Sequence, residues 1–100
     1  MQKLVRDLIP DLIKKTDGEA SKHKIRIASN AEMPDLLKMK LEEELKEYLE
    51  SNSVEELADL VEVVRAILDH NGIHWDDFEK TRLEKAKARG IFKKKFVLYL

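Results

Sequence analysis

The sequence predicts an all-α helical bundle built on a central antiparallel helix hairpin. Apolar residues recur at helical spacing on both sides of residues 51–53. Ser53-Val54-Glu55-Glu56 fits the S-x-x-E capping box and stands directly before the second of these runs. Gly72 and Gly90 lie where the last two helical patterns run out. One hundred residues suit a single domain, 1–100, with a modest core.

The first fifteen residues carry Leu4, Val5, Leu8, Ile9, Leu12 and Ile13, an amphipathic helical pattern interrupted by Pro10. Proline lacks the N–H and disfavours helix at the residue before it. It is tolerated if Asp7 caps a helix whose first turn contains Pro10. Lys3, Arg6 and Asp7 read either as surface charges flanking an apolar edge or as part of a ligand-lining segment. Thr16–Lys24 is polar, contains Gly18, and reads as a loop. Ile25-Arg26-Ile27-Ala28 alternates briefly, and Phe96–Leu100 is the partner it would need for a two-stranded ribbon. Such a ribbon is marginal without packing, so a short C-terminal strand or an extended arm is expected.

Ser29-Asn30 offers a cap for a helix starting near Ala31, with Pro34 in its opening turn. That helix should run to about Ser51, and its partner from Ser53 to about Asn71, with Gly72 as the stop. A connection this short makes them antiparallel neighbours. A last helix should run from about Trp75 to Arg89, closed by Gly90, with His74 at its N-cap position. The Lys93-Lys94-Lys95 run reads as a solvated bend.

Helical projection at about 100° per residue selects among the many acids of the hairpin. With Leu57 at zero, the apolar arc of the second hairpin helix runs from about 240° to 40°, with Glu56 inside it and Asp59 on its edge. Glu55, Glu62 and Asp69 fall outside. On the first hairpin helix, with Leu41 at zero, Leu37, Leu45, Tyr48 and Leu49 form the stripe. Glu44 and Glu47 flank one side of it, while Glu43 and Glu50 are expected to point to solvent. Packing by these stripes gathers Glu44, Glu47, Glu56 and Asp59. Several carboxylates in a partly buried site must bind protons, bases or a metal. Oxygen ligands without Cys or His favour a hard cation, Mg²⁺ or Mn²⁺. A solvated acidic face is the plain alternative, and Glu56 has a ready structural role as the acid of the capping box.

E-x-x-E, a short turn, then E-x-x-D on antiparallel helices resembles the metal-binding signature of the all-α NTP pyrophosphohydrolases. That superfamily includes MazG-like proteins, dimeric dUTPases and phosphoribosyl-ATP pyrophosphohydrolase. The N-terminal KLVRDLIPDLI and the later RLEKAKARGIF resemble a small branch described as phosphoribosyl-ATP pyrophosphohydrolase-like or MazG-like. The similarity spans nearly the whole chain. It implies an Mg²⁺-dependent hydrolase that splits a nucleoside triphosphate into a monophosphate and pyrophosphate, with housecleaning of the nucleotide pool as one use. On that reading Glu44, Glu47, Glu56 and Asp59 serve as both metal ligands and catalytic groups.

Candidate phosphate-binding cations are Lys40, which shares the Glu44/Glu47 side of its helix, and Arg82 and Lys85 on the last helix. Each also has a structural role open to it, as an i,i+4 partner or as a cation answering a helix C-terminus. Two other functions remain: a non-catalytic helical oligomerisation module with an acidic cation-binding patch, and phosphoribosyl-ATP hydrolysis. Lys plus Arg (19) nearly balances Asp plus Glu (20), so no global field argues for nucleic acid or membrane. The chain has no cysteine, which excludes disulfides and thiolate metal sites and suits a cytoplasmic protein. The second hairpin helix is apolar over about half its circumference, more than a thin monomer covers, so a homodimer or higher oligomer is expected.

Overall fold

A computed structural model describes residues 2–17 and 24–100. Among these residues four α-helices follow one another: α1 (Ile9–Asp17), α2 (Met33–Ser51), α3 (Val54–His70) and α4 (Trp75–Arg89). No strand occurs among the described residues, so 25–28 and 96–100 do not form the ribbon, and 96–100 form an exposed irregular arm. Backbone amides of so short and unpacked a pair are better satisfied by water. Among the described residues no helix is long and apolar enough to cross a membrane.

The α2–α3 hairpin is the organising unit. Asn52 ends α2 in a left-handed conformation (φ 56°), its N–H donating to Tyr48 O at 2.7 Å. Asparagine tolerates this region better than most residues. Ser53 is then extended and caps α3, its Oγ accepting from Glu56 N at 3.4 Å. The far end of α3 closes as a Schellman motif: Gly72 N donates to Asp69 O and Ile73 N to Leu68 O. Gly72 needs φ +69° for this turn. Arg65 lies over the ring of Trp75, 4.0 Å from its centroid, and fastens the start of α4 to α3.

Several expected boundaries shift. The first helix does not begin at the N-terminus: residues 2–6 are irregular, and α1 begins at Ile9 with Pro10 as its second residue. Asp7 therefore stands one residue too early to be the N-cap. Thr16 and Asp17 continue α1, and the rest of the expected loop (18–23) lies outside the described residues, as does Met1. At the start of α2 the cap position is Glu32 rather than Ser29 or Asn30, because a turn over Ser29–Glu32 intervenes. There Glu32 accepts from Ser29 N (2.8 Å), Ser29 Oγ (3.0 Å) and the Arg26 guanidinium (2.6 Å). Those partners hold its carboxyl down to about 2, the Arg26 hydrogen bond being the largest cause.

Within one chain the bundle is open: among the described residues the first and last helices do not both pack across the hairpin. Helix α4 meets α3 but not α2, and α1 meets no other helix. The radius of gyration is 17.6 Å, with extents of 54 × 32 × 24 Å. About 13 Å is usual for a compact domain of this length. Among the described residues only Leu37, Val63 and Leu68 are buried hydrophobics.

Candidate metal centre

The hairpin does not pack along its most apolar line. On α2 the covered residues include Leu37, Glu44, Lys40, Leu41 and Tyr48, with Glu43 and Glu47 half-buried, while Leu45 and Leu49 remain exposed. The packed line is thus turned by roughly 60° from the stripe toward the acidic side, with Glu44 near its centre. Helix α3 does the same: Val63, Leu60, Ile67 and Glu56 face inward, while Val54, Leu57 and Val61 are exposed. Burying acids and leaving leucines in water conflicts with stability in an isolated chain. Such conflicts occur where function or a partner imposes them.

Glu44, Glu56 and Asp59 come together as the projection expects. Each offers one carboxylate oxygen, and the three oxygens lie within 4.8 Å of one another. Glu44 is only 6 % exposed. One oxygen of Glu44 and one of Glu56 (Oε2 in each) are buried with no hydrogen-bond partner. An orphaned buried carboxylate oxygen is costly unless a cation or proton answers it. Burial raises the carboxyl of Glu44 above the ordinary range, and neighbouring Glu47 pushes it the same way, against the hydrogen bond from Lys40. Glu47 thus sits beside Glu44 but does not join the three-oxygen cluster.

The capping-box alternative for Glu56 fails on a local detail. The Ser53 N–H that Glu56 would satisfy donates instead to Ser51 Oγ at 3.2 Å. Glu56 therefore keeps its carboxylate for the seam while its own backbone N–H still completes the cap.

Cations surround the cluster, though not all those expected. Lys40 Nζ lies 2.9 Å from Glu43 Oε2 and 3.3 Å from Glu44 Oε1. Burial opposes the Lys40 charge most strongly, but Glu43 and Glu44 together raise its pKa. Arg82 is instead bound to Glu79 one turn back on α4, and Lys85 is exposed; neither joins the cluster. Glu43 corrects the projection. It is half-buried, held by Lys40 and by Lys3 (3.0 Å), and its carboxyl is lowered chiefly by the Lys40 hydrogen bond.

The sequence offered Arg6 as a surface charge or as part of a ligand-lining segment but gave it no partner; its Nη2 donates to Asp59 Oδ1 at 2.6 Å. Fifty-three residues separate the pair, and no local pattern carries a contact across that distance. Lys3 and Arg6 together lay residues 2–6 over one face of the hairpin, reaching Glu43 on α2 and Asp59 on α3. The exposed apolar edges occupy the other face. In antiparallel helices, a turn in the same sense from the packed line carries both edges to one side.

The three clustered carboxylates could hold a metal ion: Glu44 and Glu56 each have a buried oxygen without a partner, and a set of oxygens without sulfur or imidazole is the kind that hard cations prefer. No family model matches the sequence, and neither a curated protein nor a solved structure is significantly similar to it.

Proposed function

We propose that the chain is an Mg²⁺-dependent nucleoside triphosphate pyrophosphohydrolase that releases a nucleoside monophosphate and pyrophosphate. One observation carries the reading: Glu44, Glu56 and Asp59 converge within 4.8 Å, with a partnerless buried oxygen on Glu44 and another on Glu56. Those three carboxylates would hold Mg²⁺, or Mn²⁺ in its place, with Glu47 beside Glu44 as the fourth acid. A bound divalent cation supplies charge neutralisation for phosphate oxygens and acidifies water at neutral pH.

The rest is done by the chain's own groups. Helix α2 presents Glu44 and Glu47 from consecutive turns, and α3 presents Glu56 and Asp59 in the same way, so the rigid hairpin fixes all four. An acid not engaged as a ligand accepts the proton of the attacking water. Lys40, 3.3 Å from Glu44, is the best placed of the expected substrate-binding cations to meet a phosphate oxygen. Arg82 and Lys85 belong to this reading only through the resemblance, since α4 does not meet α2. The same resemblance supports a MazG-like or phosphoribosyl-ATP pyrophosphohydrolase-like relationship and leaves the choice of base and sugar open.

A homo-oligomer belongs to the same proposal. Val54, Leu57 and Val61 on α3 and Leu45 and Leu49 on α2 line one exposed hairpin face. A second copy that covered this face would resolve the conflict between buried acids and solvated leucines. That exposed face also favours the second reading, a non-catalytic oligomerisation module whose acids bind a cation.

A panel of nucleoside triphosphates and phosphoribosyl-ATP, incubated with Mg²⁺ and assayed for pyrophosphate and monophosphate, separates the readings. Pyrophosphate release that is lost in Glu56→Gln supports hydrolysis. Metal binding without any pyrophosphate from the panel returns the chain to the oligomerisation module.

A further inference from the structure

We propose that Arg6 is the internal counter-ion of the carboxylate cluster. It holds Asp59 until a divalent cation takes that carboxylate, and the guanidinium so freed then binds a polyphosphate ligand. The inference rests on the metal-site reading above and adds an order of events to it.

The geometry points to exchange rather than to a fixed strap. Arg6 Nη2 lies 2.6 Å from Oδ1 of Asp59, one of the three acids that converge. The guanidinium and a divalent cation would both draw on the charge of the one Asp59 carboxylate, and as like charges so close together they oppose each other there. Both side chains are substantially exposed, 55 % for Arg6 and 39 % for Asp59. An ion pair so open to water contributes little to stability and is easily replaced. The contrast with Lys40 is informative: that cation is mostly buried and doubly bound, to Glu43 and Glu44, so it belongs to the hairpin itself.

Opening the Arg6–Asp59 pair unfolds no helix, and Gln2, which accepts from the Arg26 guanidinium at 2.6 Å, anchors the start of the segment. Residues 2–6 are irregular, and α1, which follows, packs on no other helix. Lys3 keeps the segment near the site through Glu43, which is not one of the three converging acids. Displacement of Arg6 therefore leaves it tethered at the rim of the cluster. A guanidinium presents five N–H donors in a planar fork that suits phosphate oxygens. Metal binding thus creates a free, prepositioned anion receptor where the cation's own charge also draws an anion.

The test is calorimetric titration of the full chain with Mn²⁺, followed by inorganic tripolyphosphate added as its preformed Mn²⁺ complex. Arg6→Gln is compared with Lys3→Gln, which removes the same charge and the same type of ion pair from the same segment. Arg6→Gln should bind Mn²⁺ about 2- to 5-fold more tightly, the gain expected from removing an exposed competing ion pair. It should bind the tripolyphosphate complex roughly 10- to 150-fold more weakly, the range for a lost charge-assisted hydrogen bond. Lys3→Gln should stay within about twofold of the parent chain in the Mn²⁺ titration. Unchanged or weaker Mn²⁺ affinity in Arg6→Gln overturns the exchange, as does an equal gain in Lys3→Gln, which would mark a general charge effect. Failure of the unaltered chain to bind Mn²⁺ overturns the metal site itself and is a different result. Circular dichroism of each variant checks that the helices persist.

Discussion

Replacing Glu44 by glutamine should stabilise the metal-free chain and abolish its stabilisation by metal. One of its carboxylate oxygens lies no more than 4.8 Å from one each of Glu56 and Asp59. At an effective dielectric of about 20, each fully ionised like pair at that distance costs about 3.5 kcal/mol. The opposing attraction, Lys40 at 3.3 Å, is worth about 5 kcal/mol on the same scale. Two repulsions removed and one attraction lost leave a net gain of about 2 kcal/mol, and Lys40 keeps Glu43 as its partner. In a chain of this size that raises Tm by on the order of 10 °C. Adding Mg²⁺ at a hundred times its Kd should stabilise the unaltered chain by about 2.7 kcal/mol and leave the variant nearly unmoved. A lower Tm in the variant, together with an intact Mg²⁺ shift, would refute the claim that Glu44 is kept for a cation at the expense of stability.

Glu43→Gln should not be silent, because it leaves Lys3 and Lys40 without a shared partner; a modest fall in Tm checks this, with exposed Glu62→Gln as the unaffected control. Glu32, held at about 2 by Arg26 and Ser29, favours the folded state fully above its ordinary unfolded value near 4.5, and that contribution is lost as pH falls from there to about 2. An NMR titration should return Glu32 toward the ordinary range in Arg26→Gln. Gly72→Ala forces an alanine to φ +69° with open space around it, so the cost is conformational, about 1–2 kcal/mol by chemical denaturation. Leu49→Lys together with Val61→Lys should shift the chain toward monomer in analytical ultracentrifugation while preserving its helicity, if a second copy covers that hairpin face.

The local signals in the chain were the legible ones. The capping serine at 53, the stop at Gly72 and the span Trp75–Arg89 all stand where the sequence put them, because each depends on residues within a turn of one another. The gathering of Glu44, Glu56 and Asp59 was legible for a related reason: a short connection forces antiparallel helices, and the period does the rest. The facing of the hairpin was less so. A projection centred on leucines left Glu43 in solvent and covered Leu45 and Leu49, whereas the helices pack along a line nearer Glu44. Nothing local announced that Arg6 would reach Asp59, or that Arg26 would take Glu32 and fix the turn before α2. At the C-terminus the sequence left a short strand paired with 25–28 or an extended arm open, and the arm forms because so short a ribbon has nothing to pack against.

Calorimetric titration of the unaltered chain and of Glu56→Gln with Mg²⁺ tests the central claim most directly. Glu56 lies on the packed line, is not consumed by the capping box, and carries a buried oxygen without a partner. The account predicts saturable Mg²⁺ binding that weakens by about tenfold or more in Glu56→Gln, the scale set by losing one charge-assisted contact. Glu62→Gln, exposed on the same helix, should titrate like the unaltered chain. Equal affinities in all three, or no binding in any, would contradict the assignment of Glu44, Glu56 and Asp59 as a metal centre.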